Sequence, residues 1–213
     1  QDLLGIVDWD GNPDNGRLAT DRPHSFKLNA GYSFDWFGSR SNTTELKGFF
    51  IAQSGTPLST RLSFYGANTF LTGRGDLGRT DAFTQTDLAL THKYRFGRDN
   101  RYTLAFDIDA LNVFNQQAVT NRFTTLFTAS LSADSVSQFH PNVTDETSFI
   151  QQTFNGGLAD TVRELNRRGE AGLSTCGATG TSSCAGFKTD ARFNQPAQWQ
   201  LPRSIRFGFR FIF

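Results

Sequence analysis

The sequence predicts an all-β fold: C-terminal-type antiparallel strands of a transmembrane outer-membrane β-barrel, joined by long extracellular loops. Three observations predict it. Apolar and polar residues alternate with period two in several segments, as strands with one lipid-facing and one wet side require. Phe is in excess, with 22 residues against 4 Tyr and 3 Trp. An apolar outer face with aromatic rims uses such residues, whereas a water-soluble domain of this polarity has little need of them. Finally, the connections between candidate strands alternate between short and long, the pattern of periplasmic turns and outer loops.

Bulk properties fit this class. Mean hydropathy is low, −0.42, because lumen-facing residues, turns and loops of a barrel are polar. No apolar run approaches the ~18 residues of a spanning helix; the longest are 48–52 and 207–213. Net charge is +1, so nucleic acid is not an expected partner. The Phe strips make membrane lipid the expected one.

Five segments carry the strand pattern. In 25–34, Phe26, Leu28, Ala30, Tyr32 and Phe34 share a side, opposite Lys27, Asn29 and Ser33. The segment 46–53 has strand composition, but Phe49-Phe50-Ile51 leaves its facing ambiguous. In 86–96, Leu88, Leu90, Tyr94 and Phe96 oppose Lys93 and Arg95, with His92 interrupting the apolar side. In 102–111, Tyr102, Leu104, Phe106, Ile108 and Ala110 oppose Asp107 and Asp109. In 203–213, Ile205, Phe207, Phe209, Phe211 and Phe213 oppose Arg206 and Arg210, with Ile212 the one exception. These 11 residues extend ~36 Å and, tilted by ~40°, cover an apolar band ~25 Å tall.

The charged residues Lys93, Arg95, Asp107, Asp109, Arg206 and Arg210 are therefore expected to face the lumen. Asp107 and Asp109 are expected to pair with Lys93 or Arg95 on the preceding strand, and to lie beside Arg210 and Arg206 if the last strand neighbours theirs. If Phe213 ends in the periplasm, 112–202 and 54–85 become outer loops, while 97–101 and 35–45 become periplasmic turns. Every length then falls on its expected side. Within 112–202, Leu158, Val162 and Leu165 have helical spacing, Asp160 comes early and Arg163, Arg167 and Arg168 come late, predicting a short helix near 157–168.

Cys176 and Cys184 flank a run of small residues that closes a ring easily, so a disulfide is expected in an oxidising compartment, with two thiols as the alternative. His24, His92 and His140 are scattered away from them, and neither a metal nor a cofactor is expected. No nucleophile elbow, phosphate loop or His-Glu-x-x-His is present, and no enzyme activity is expected. The oxygen-rich run Asp8 to Asp14 lacks the distal Glu and spacing of a calcium loop, and Arg74-Gly75-Asp76 reads as a chance match to an adhesion tripeptide. Five strands cannot close a barrel, whose small forms have about eight. With no Met in the sequence and no signal peptide opening it, a piece of a larger or processed chain is expected.

Four stretches resemble the C-terminal part of TonB-dependent receptor barrels, in particular the Oar-like type with a carboxypeptidase-regulatory-like domain. They are Asp21-Arg22-Pro23-His24-Ser25-Phe26, Gln53-Ser54-Gly55-Thr56-Pro57, Asp109-Ala110-Leu111-Asn112-Val113-Phe114-Asn115, and Leu201-Pro202-Arg203-Ser204-Ile205-Arg206-Phe207-Gly208. The resemblance implies that residues 1–213 are part of a barrel of about 22 strands enclosing a plug. It implies uptake of a scarce nutrient (siderophore, cobalamin, oligosaccharide or peptide) energised by TonB through an N-terminal region outside this chain. It also implies that Phe209, Phe211 and Phe213 form the signal read by the barrel-assembly machinery. Two other functions fit the residues: a barrel anchoring a surface loop for adhesion or assembly, and a soluble secreted β-rich binding module.

Overall fold

A computed structural model of the chain describes residues 15–39, 41–132, 135, 145, 147–148, 151, 158–174, 176 and 183–213. The oxygen-rich run at 8–14 lies outside them. The described residues divide into two compact units.

One unit is an antiparallel sheet of five strands: β1 (Ser25–Asp35), β2 (Asn42–Gln53), β5 (Phe83–Phe96), β6 (Tyr102–Leu111) and β10 (Ser204–Ile212), in the order β1-β2-β5-β6-β10. The two intervening strands, β3 and β4, and those between β6 and β10 belong elsewhere, as given below. β2 starts four residues before the expected strand and β5 three before, so the β1–β2 turn shortens to 36–41. The β5–β6 turn, 97–101, closes on Gly97, whose φ of 84° is cheap only for glycine. A Cβ there would stand 2.8 Å from Cδ2 of Tyr102. Both turns lie at one end of the sheet, and both long connections leave from the other.

Registers are continuous across the sheet and settle the facing of every strand. Leu28, Phe50, Thr86 and their neighbours two residues apart form one side, since Leu28 pairs with Phe50 and Phe50 with Thr86. Leu88 pairs with Ala110, Leu90 with Ile108, and these with Ile205 and Phe207. The result is one apolar face running over all five strands. In β2 it takes Leu46, Gly48, Phe50 and Ala52, while Phe49 and Ile51 turn to the other side. Nothing among the described residues covers this face: Phe207 and Phe209 are 70% exposed and Tyr32 71%. In water each such ring forgoes roughly 2 kcal/mol of burial.

The described residues of the second unit fall within 15–21, 56–80 and 121–197, most of them in the two long connections. The connection 112–202 is not a plain loop: it contributes strands and a helix. β3 (Arg61–Phe64) pairs antiparallel with β4 (Ala67–Phe70) and parallel with β8 (Thr125–Leu131). The helix α1 (Leu158–Glu170) buries Val162 and Leu165 against Leu62, Phe127, Leu131 and Phe187. Cys176 and Cys184 form a disulfide inside this core, both fully buried. β7 (Val119–Arg122) and β9 (Pro196–Trp199), each divided between the two units, make a two-stranded ladder.

Candidate functional site

The side of the five-stranded sheet opposite the Phe strip carries its charges in register rows. One row reads Gly31–Lys47–Ala89–Asp109–Arg206 and the next, toward the long connections, Asn29–Phe49–Asp87. On the other side of the first row come Ser33–Glu45–Thr91–Asp107–Gly208 and then Asp35–Thr43–Lys93–Ala105–Arg210. The first two rows line a depression of about 440 Å³ to which all five strands contribute.

The expected partners are revised by these rows. Asp107 pairs with Arg210 at 3.0 Å and accepts the Thr91 hydroxyl at 2.7 Å, not a charge from β5. Lys93 reaches Glu45 on β2, at 2.8 Å, instead of Asp107 or Asp109. Glu45 and Asp107 each sit diagonally from Lys93, but Arg210 already occupies Asp107, and Asp109 lies four residues along β6 from Ala105, opposite Lys93. Arg95 lies opposite Thr103, four residues or ~13 Å along β6 from Asp107, too far to pair. Asp109 sits directly opposite Arg206 across β6 and β10. Gly208 lies between the two arginines on this face, and a Cβ there would stand 3.4 Å from that of Asp107.

Asn112 was legible only as part of a motif, yet it organises the rim at the loop end. It adopts φ 51° and is buried. Its amide nitrogen donates to the carbonyls of Leu201 at 2.8 Å and Gln116 at 2.9 Å. Its side-chain oxygen accepts the Gln116 N–H, and its own N–H donates to Asp87 at 2.8 Å. Asn115, at φ 52°, accepts the Arg203 N–H. Thus Asn112-Val113-Phe114-Asn115 is a turn that ties the outgoing chain to the returning one. The Arg22 guanidinium similarly donates to the Ser54 carbonyl at 2.9 Å, linking the ends of β1 and β2.

His92, on the apolar face, is not an orphan. Its Nδ1 lies 2.8 Å from Oγ1 of Thr44, which also accepts the Trp36 indole N–H at 2.8 Å. Trp36, Tyr94, Phe96 and Tyr102 gather near the short turns, whereas Phe114 and Trp199 stand exposed near the long connections.

In the second unit, Arg74-Gly75-Asp76 does not present a free carboxylate. Asp76 accepts the Thr60 N–H at 2.7 Å, the Thr60 hydroxyl and the Thr72 hydroxyl. The Arg74 guanidinium stacks over Phe70. On α1, the Arg167 guanidinium, aided by Arg168, holds the Glu164 carboxyl down at about 2. The Arg192 side chain, with its backbone N–H, holds Asp190 down at about 2. Among the described residues no cluster of three or more His, Cys, Asp or Glu could hold a metal.

No protein-family profile matches the chain, and no solved structure matches it. Among curated proteins it is similar to the TonB-dependent transporter Oar of Myxococcus xanthus, with 24% identity over 203 residues. That match takes in 93% of this chain but 17% of the relative, so the chain spans about one sixth of that protein's length.

Proposed function

We propose that this chain is part of the wall of an outer-membrane β-barrel in a TonB-dependent transporter. One observation carries the proposal: a continuous, uncovered apolar face on five strands whose opposite face is charged. Strands of 9 to 14 residues, tilted by ~40°, cross a hydrocarbon band ~25 Å tall. Lipid lies against the Phe strip, and the charged face lines the lumen. The similarity to a TonB-dependent transporter supports uptake of a scarce nutrient, with TonB acting through a region outside this chain. Phe209, Phe211 and Phe213 then present the aromatic pattern that the barrel-assembly machinery reads. The role is passage and recognition, not catalysis.

The buried disulfide and separate core of the second unit favour one other reading, a barrel that anchors a folded surface module for adhesion. The test is on the full-length protein. Outer-membrane fractionation and heat-modifiable migration on gels read the barrel. Nutrient-limited growth with and without TonB then separates transport, which needs TonB, from anchoring, which does not. A monomer soluble without detergent would overturn both in favour of a secreted module.

A further inference from the structure

Near the short turns, the apolar face holds one polar chain among its rings. On β1 the rings of Phe34 and Trp36 meet at 5.2 Å between centres. On β5 and β6 those of Tyr94, Phe96 and Tyr102 follow one another at 5.9 and 5.6 Å. β2 runs between these two groups and offers no ring at this level: Asn42 and Thr44 stand opposite Tyr94 and His92. The Trp36 indole N–H donates to Oγ1 of Thr44, and that Oγ1 lies 2.8 Å from Nδ1 of His92. An indole nitrogen only donates, so the hydroxyl accepts it and gives its own hydrogen to Nδ1. The hydrogen of the neutral imidazole is then on Nε2. Among the described residues nothing accepts it: Phe106 stands opposite His92 on the side away from Thr44.

Resting on the barrel reading, we propose that this notch seats one phospholipid of the periplasmic leaflet, with Nε2–H of His92 donating to an ester carbonyl of its glycerol backbone. Depth selects that acceptor. Trp and Tyr settle at the membrane–water boundary, which puts Trp36 and Tyr94 there. His92 lies two residues, ~7 Å along the strand, further in, where an N–H without an acceptor is costly. The deepest oxygens of a diacyl lipid are its ester carbonyls. Its phosphate lies further out, toward the level of the Arg101 guanidinium, which stands over the Tyr102 ring. Phe34 and His92 flank Thr44 in register, two strand spacings or ~10 Å apart. With no ring between them, that width admits an acyl chain.

Photo-crosslinking on the full-length protein tests this in bilayers of equimolar dimyristoyl phosphatidylcholine and its ditetradecyl ether analogue, which lacks the carbonyls. Phe106→p-benzoylphenylalanine places the probe beside His92 and leaves the Trp36–Thr44–His92 chain intact. Leu28→p-benzoylphenylalanine reports the same face toward the long connections. Mass spectrometry of the crosslinked peptides is expected to show the ester lipid favoured about fivefold at 106, the selectivity of one net hydrogen bond, and no preference at 28. Adding His92→Phe, which keeps a ring and removes the N–H, is expected to abolish the preference at 106. No preference at 106, an equal preference at 28, or a preference that survives His92→Phe in a folded barrel overturns the proposal. Heat-modifiable migration reports independently whether the parent and each variant are folded barrels, and its loss in the parent instead overturns the barrel reading.

Discussion

The Asn112 amide donates to the Leu201 carbonyl at 2.8 Å, joining the end of β6 to the approach of β10 across 89 residues of sequence. The same side chain holds Gln116 in both directions, and its backbone keeps φ 51°, which Asn tolerates better than most residues. Asn112→Ala removes three side-chain bonds at a buried site and adds backbone strain. It is expected to cost about 2–4 kcal/mol. Asn112→Gly relieves the strain but not the lost bonds, and is expected to recover about 1 kcal/mol. Hydrogen exchange at 112–118 and 200–203 in the full-length protein measures both.

Gly169 on α1 sets two effects against each other. Alanine gains up to about 1 kcal/mol of helix propensity over glycine. Its Cβ would however stand 2.5 Å from Lys188 N and 2.7 Å from the Phe187 carbonyl carbon, both backbone atoms. Overpacking of this kind costs about 1–3 kcal/mol. Gly169→Ala is thus expected to destabilise the second unit, read as lost exchange protection in α1.

The Cys176–Cys184 bridge closes a short ring, with 8 residues of separation. On loop-closure entropy alone it contributes about 2.5 kcal/mol. A Cys176→Ser/Cys184→Ser pair also places two hydroxyls in an apolar core. Loss of exchange protection in α1 and β8 is expected, with the register of β5, β6 and β10 unaffected. Loss of heat-modifiable migration in that variant would show the sheet depends on the bridge.

Glu164 and Asp190 give the second unit an acid limit. Both carboxyls sit at about 2 in the folded chain, below their ordinary values of 4.5 and 3.8. A lowered folded value means stabilisation present above the unfolded value and lost as pH falls toward the folded one. Exchange protection of α1 is expected to fall between about pH 4.5 and 2. Glu164→Gln is expected to flatten the upper part of that decline.

The alternation that identified β1, β5, β6 and β10 was legible because one side of each strand is apolar almost without interruption. β2 was not, because Phe49-Phe50-Ile51 is apolar on both sides; only its pairing with Leu28 and Thr86 assigns Phe50 to the apolar face. β3 and β8 pair in parallel across some 60 residues as short strands, and no local pattern announces so distant a partner. The charged residues were legible as one face, but their partners depend on diagonal neighbours, which is how Lys93 went to Glu45. Asn112 and Gly97 act through backbone conformation, which a sequence motif marks without explaining.

In the proposed barrel the Phe side of β10 meets lipid and the Arg side meets water. A spin-label scan of the full-length protein in outer-membrane lipid tests it directly, with Phe207→Cys, Gly208→Cys, Phe209→Cys, Arg210→Cys and Phe211→Cys labelled one at a time. Collisions with oxygen report hydrocarbon, and collisions with a water-soluble nickel chelate report the lumen. Oxygen accessibility should peak at 207, 209 and 211, and nickel accessibility at 208 and 210. Uniform nickel accessibility along the strand, or a two-residue period with the sides reversed, would rule out this placement of β10 in a barrel wall.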